Sequence, residues 1–172
     1  MTTAPAVGRL AATNVKDVAI VGVGALLLLI SLVTTTWLFM PANPAANTPA
    51  ASMSFSDLVT ATGTSPSTIQ ASYFGWLAWF LFGALIVLSV ATLLTNSRIV
   101  AAIGAGVGLL TAILTTLALK GPQTWSQTID ALPNLRLGGY LMLIGLLTLL
   151  IFNAVRAFSR PRDTTTTANG TV

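Results

Sequence analysis

With charged side chains at 7% and AVILMFWYC residues at 54% of its 172 positions, this chain has too few charges to clothe a water-soluble surface, where about a quarter of residues are ordinarily charged. Its formal charge of +4 is scattered around apolar segments rather than gathered in one basic stretch, which points away from nucleic acid. Cysteine and histidine are both absent, and this excludes disulfides, thiol nucleophiles, zinc sites built on thiolate or imidazole, and haem held by a histidine of this chain.

Residues 1–16 read as a cytoplasmic tail, of which Met1 to Ala12 is low in complexity and expected to be disordered. Four apolar windows follow, each close to the ~20 residues that an α-helix needs to cross ~30 Å of hydrocarbon. The first runs from about Val18 to Met40 between Lys16 and Pro41. A cleaved signal peptide is the alternative there, but the run exceeds the usual apolar core of such a peptide and no clean Ala-x-Ala site follows a short core. The outer loop of about 41–72 is rich in Ala, Pro, Ser and Thr, and its cluster from Met53 to Val59 is expected to form a short helix or strand lying on the bundle. Ser65 followed by Pro66 reads as a helix cap, so that the second span, about Tyr73 to Leu94, begins above the membrane.

The third window is Ile99 to Leu119, closed by Lys120, Gly121 and Pro122. In the second outer loop, about 120–136, Trp125, Ile129 and Leu132 fall at i, i+4 and i+7, the spacing of a short helix lying flat at the interface. The fourth window is Leu137 to Phe158, and 159–172 reads as a second disordered cytoplasmic tail. Arg9, Lys16, Arg98, Arg156, Arg160 and Arg162 lie on one side of these spans, leaving only Lys120 and Arg136 on the other. The positive-inside rule therefore places both termini in the cytoplasm. The expected fold is all-α: an integral membrane four-helix bundle over 17–158, multi-pass in the plasma membrane.

Three groups of residues stand out. Trp76, Trp79, Phe80 and Phe82 crowd the second span, with Trp37 at the same outer level. They read either as an interfacial belt or as a docking patch for a partner protein or lipid. On the third span, Ala101, Gly104, Ala105, Gly108 and Ala112 form a ridge of small side chains that permits close helix packing, within the bundle or against another chain. This helix is expected to be the most tightly packed, with Leu146 of the fourth as a milder site if it faces lipid. On the outer side, Arg136 opens the fourth helix where the dipole disfavours a cation. Asp130 or Asp57 is expected to compensate it, unless all three are simply solvated.

Within the spans only hydroxyls and amides occur, such as Ser31, Ser89, Thr92, Thr111, Thr115 and Asn153. Carriers coupled to protons or ions need ionisable groups at depth, so a small multidrug exporter with an embedded glutamate does not fit. No glycine-rich phosphate loop and no pair of catalytic carboxylates is present, and no cofactor or metal is expected.

Four helices, cytoplasmic ends, a longer first outer loop and a tryptophan closing helix one resemble the layout of claudin-like tetraspan proteins, without that family's Gly-Leu-Trp and two-cysteine signature. The Ala, Thr and Gly rich composition, with arginine favoured over lysine, is similar to small four-helix accessory membrane proteins of actinobacterial (mycobacterial) envelope complexes. That resemblance implies a non-enzymatic accessory or assembly subunit of a larger membrane protein complex, for lipid transport or respiration. The alternatives are a lipid or small-molecule transport component in its own right, and a membrane enzyme whose cofactor and active site come mostly from a partner. Membrane lipids are expected partners in each case.

Overall fold

A computed structural model describes residues 14–159 except 34, 35, 43, 45, 46, 48 and 64–66. The expectations for both tails and for the Ser65–Pro66 cap fall outside the described residues, as do Arg9, Arg160 and Arg162. Four helical segments are long and apolar enough to cross a membrane, and the protein is all-α apart from one small two-stranded sheet.

The first helix, α1 (Val15–Val33), begins at Asn14, whose side chain accepts from the backbone N–H of Lys16 at 3.1 Å. It is shorter than expected. Beyond Val33 the chain changes to a strand, β1 (Thr36–Met40), because β-branched Thr36 and the aromatic residues Trp37 and Phe39 favour a pleated surface over a helix. β1 pairs antiparallel with β2 (Ala51–Ser54), with Phe39 opposite Ser52 and Met40 opposite Ala51. Register shifts between Thr36 and Leu38, so Trp37 sits at a bulge, a device that re-aims a side chain. Trp37 is accordingly fully buried, and its indole N–H donates to the Ser31 carbonyl at 2.5 Å.

Ser54 and Asp57 cap each other's backbone N–H at the start of α2 (Phe55–Gly63), whose Phe55, Leu58 and Thr62 point inward. The second span begins above Tyr73, as expected, in α3 (Thr68–Ser72), where the Ser67 hydroxyl accepts from the Gln70 N–H. It passes through a π-helical turn, Tyr73–Leu77, into α4 (Ala78–Thr95). The extra residue in that turn lets the successive aromatics Tyr73 and Phe74 both face the core. Asn96 ends α4 in the left-handed conformation at φ 48°, and Ser97 caps α5 (Arg98–Lys120).

Gly121, at φ 52°, closes α5. Thr124 and Gln127 then form a reciprocal cap on α6 (Trp125–Asp130). A 3₁₀ turn, Leu132–Asn134, leads to α7 (Leu137–Phe158). The second outer loop is fastened to the first: Leu135 bridges to Leu38, and the Arg136 N–H donates to the Trp37 carbonyl at 2.8 Å.

The hub of the bundle is α7 rather than the third span, for it packs against α1, α5 and α4. Glycines set these approaches. A Cβ on Gly145 would stand 2.9 Å from the Gly24 carbonyl oxygen, so α1 and α7 meet backbone to backbone. One on Gly108 would stand 3.1 Å from a Leu150 methyl. Leu146 is 1% exposed and belongs to the core, so the condition under which it would be a milder site is not met: the turn of α7 that carries Gly145 is turned into the bundle.

Candidate functional site

Aromatic side chains at the loop end divide into two sets. Trp37, Phe55 and Phe74 form a closed inner box, with ring centroids 5.2 Å (Trp37–Phe55), 6.3 Å (Trp37–Phe74) and 5.7 Å (Phe55–Phe74) apart. Tyr73 joins it edge-on to Phe74 at 5.2 Å, its hydroxyl 2.5 Å from that of Thr115. Because Thr115 already donates to the Thr111 carbonyl, the phenol is the donor in this bond.

The second set points outward. Trp76 is 61%, Phe80 63% and Trp79 45% exposed, and Trp76 and Phe80 lie 6.3 Å apart, one helical turn from each other. Phe82 departs from the expected patch. It is 1% exposed, because the α4 face carrying Phe82 and Leu85 packs into the core, which removes it from any contact surface. The outward row continues through Gly83, around which a Cβ would meet nothing within 4 Å, to exposed Val87. A ridge of two large rings followed by a notch therefore runs down the outside of α4. Trp79 bridges the two sets, edge-on to Phe55 at 6.1 Å.

The small-residue ridge of α5 faces inward. Ala101, Gly104 and Gly108 are buried, while Ala105 and Ala112 are half-buried beside them. Gly104 lies over Asn153 of α7, where a Cβ would come within 2.6 Å of its amide oxygen. Asn153 is fully buried. Its amide nitrogen donates to the Ser89 hydroxyl at 2.7 Å and to the Leu149 carbonyl at 2.9 Å, and its oxygen accepts from Thr92 at 3.1 Å. This node joins α4 to α7 beneath α5, and its polar side chains satisfy one another.

Of the two expectations for the outer charges, the structure agrees with solvation rather than pairing, for Arg136, Asp57 and Asp130 are all exposed. Arg136 stacks its guanidinium 4.7 Å from the centre of the Phe39 ring, and Asp57 is occupied as the cap of α2. The serine hydroxyl and backbone N–H bonded to Asp57 hold its carboxyl below the usual range. Arg136 forms no ion pair with Asp57 or Asp130 among the described residues. Cation–π attraction and the α7-terminal hydrogen bond to Trp37 settle it instead.

The ion pair that does form among the described residues is Asp17 with Arg156, at the opposite end. Arg156 also donates to the Asn96 side chain at 2.9 Å, and Arg98 donates to the Ser159 carbonyl. Start of α1, end of α7 and the α4–α5 turn are thus tied together. A lone acid in the first turn of one span and a lone arginine in the last turn of another, at the same membrane end, was the available signal. Among the described residues no group of three or more metal-ligating side chains comes together.

Four apolar spans, three of them packed around the glycine-lined fourth, α7, define a multi-pass helical membrane protein. Comparison with known protein families, curated proteins and solved structures finds no match.

Proposed function

We propose that this protein is a non-enzymatic accessory or assembly subunit of a larger plasma-membrane complex, attached through the outward face of α4. The observation that carries this reading is the exposure of Trp76 and Phe80 on a ridge that ends in the open notch at Gly83. Rigid aromatic rings give a partner helix large contact area at low entropic cost, and a glycine lets its backbone come close. The inner box needs none of these rings, since Trp37, Phe55, Phe74 and Tyr73 already fill it.

The test is purification from native membranes in mild detergent, comparing the wild type with Trp76→Leu/Phe80→Leu. Leucine keeps α4 apolar and insertable, so a partner lost without change in thermal midpoint reports recognition. If the double variant retains every partner, the subunit reading is overturned. A transport component in its own right is the second reading, favoured by a groove of about 370 Å³ between Asp17 and Ile20 of α1 and Thr148 to Arg156 of α7.

A further inference from the structure

Away from the Gly24–Gly145 crossing, towards the chain termini, α1 and α7 are no longer joined by glycine backbone but by the Asp17–Arg156 ion pair. Between crossing and ion pair lies a groove of about 370 Å³, lined by Asp17, Ile20, Thr148, Ile151, Val155 and Arg156, with Phe152 as its floor. Its volume falls in the range of about 300–1,000 Å³ typical of small-molecule sites.

The chemistry changes along its length in one direction. Thr148 returns its hydroxyl to the Ile144 carbonyl at 2.7 Å and so presents its methyl, and Ile20, Ile151 and Val155 are exposed aliphatic walls. Arg156 and Asp17 stand at the mouth. From Thr148 to Arg156 the groove extends about 12 Å along α7 at 1.5 Å per residue, close to the ~15 Å hydrocarbon depth of one leaflet.

Arg156 sends one terminal nitrogen to Asp17 and the other to Asn96, and its side chain is still 33% exposed. A guanidinium carries five N–H donors in a fork that fits phosphate oxygens. Asp17 is offset by Arg156 and by its place in the first turn of α1. Asp17 and Arg156 are the charges that line the groove. Lys16 stands one helical turn before Ile20 on α1 and Arg98 donates to the Ser159 carbonyl just past the end of α7, so cations outnumber Asp17 at this end of the bundle and the local field favours an anion.

We infer that the α1–α7 groove holds one anionic glycerophospholipid of the leaflet at the chain termini, one acyl chain against Ile20, Ile151 and Val155 and the phosphate on Arg156. Acyl walls at membrane depth select a lipid over free phosphate, and the surplus of cations selects an anionic headgroup over a zwitterionic one.

The test is native mass spectrometry of the full chain in detergent, titrated with phosphatidylglycerol or with phosphatidylcholine of the same acyl chains. The wild type should retain one phosphatidylglycerol, with affinity about tenfold above that for phosphatidylcholine, a gap of ~1.4 kcal/mol. Ile20→Trp/Ile151→Trp fills the groove and leaves every charge in place, and it should abolish this retention. Arg156→Lys keeps the charge opposite Asp17 but loses the fork that meets the phosphate common to both lipids, so it should weaken retention of both and leave phosphatidylglycerol the better bound. Trp76→Leu/Phe80→Leu should retain the lipid as the wild type does, which separates this site from the α4 surface. Equal retention of both headgroups by the wild type, or unchanged retention in either groove variant, overturns the inference.

Discussion

Asn153 carries more of the bundle's specificity than its size suggests. Its amide meets Ser89, Thr92 and the Leu149 carbonyl, and Gly104 leaves it the room to do so. Interhelical hydrogen bonds in membranes average about 0.6 kcal/mol and reach about 1.7, so Asn153→Ala is expected to cost on the order of 1–2 kcal/mol once the lost packing is added. Reversible unfolding in mixed micelles measures this. Asp57 gives a pH-dependent counterpart at the loop end. Its carboxyl is held below its ordinary value by the Ser54 hydroxyl and N–H, so its contribution is fully present above the unfolded-state value and is lost as pH falls through the folded one. Amide exchange in the first turn of α2 should therefore quicken on acidification below about pH 4, and Asp57→Asn should remove most of that dependence.

Among the elements, α7 is the one whose surface tolerates least. Gly24 and Gly145 hold α1 and α7 in backbone contact, whereas Gly106 of α5 faces open space. Gly145→Leu is expected to lower stability by 1–3 kcal/mol or roughly more through overpacking, while Gly106→Leu should be neutral or slightly stabilising because leucine favours a helix by up to ~1 kcal/mol over glycine. Thermal midpoints of the two variants in one detergent decide it, and equal midpoints would show that the α1–α7 crossing is looser than its geometry. The outer loops depend likewise on one side chain. Trp37 seals the bulge of β1 and its carbonyl receives the Arg136 N–H, so Trp37→Ala should free both loops and raise protease cleavage between α1 and α2 while the four spans remain inserted.

At the scale of the molecule, the Asp17–Arg156–Asn96 ties bring the two described chain ends and the α4–α5 turn to one end of the bundle, and the sheet, α2 and α6 to the other. From the bias of basic residues we predict that the first of these ends faces the cytoplasm. Because the chain has no native cysteine, single-cysteine labelling has no background. In intact cells, an impermeant reagent should modify a cysteine replacing exposed Ser126 and spare one replacing exposed Thr95. The reverse pattern would invert the protein.

The four spans were legible in the sequence because lipid imposes a local rule: about twenty apolar residues in a row satisfy their own backbone only as a helix. The fourth was read to its observed bounds, Leu137 and Phe158, and the third to within a residue at either end. The one helix-start cap read from the sequence, Ser65–Pro66, falls outside the described residues, and the caps at Asn14, Ser67, Ser97 and Thr124 were not read. The change from helix to strand after Val33 was not legible, because Thr36 to Met40 is apolar enough to continue a span and becomes a strand only when β2 and Leu135 supply its hydrogen bonds. Nor could hydropathy separate Phe82 from Phe80, or turn Leu146 inward. Inside a membrane both faces of a helix are apolar, so which one is buried depends on the close approaches at Gly24, Gly104, Gly108 and Gly145, and those exist only once the helices have met.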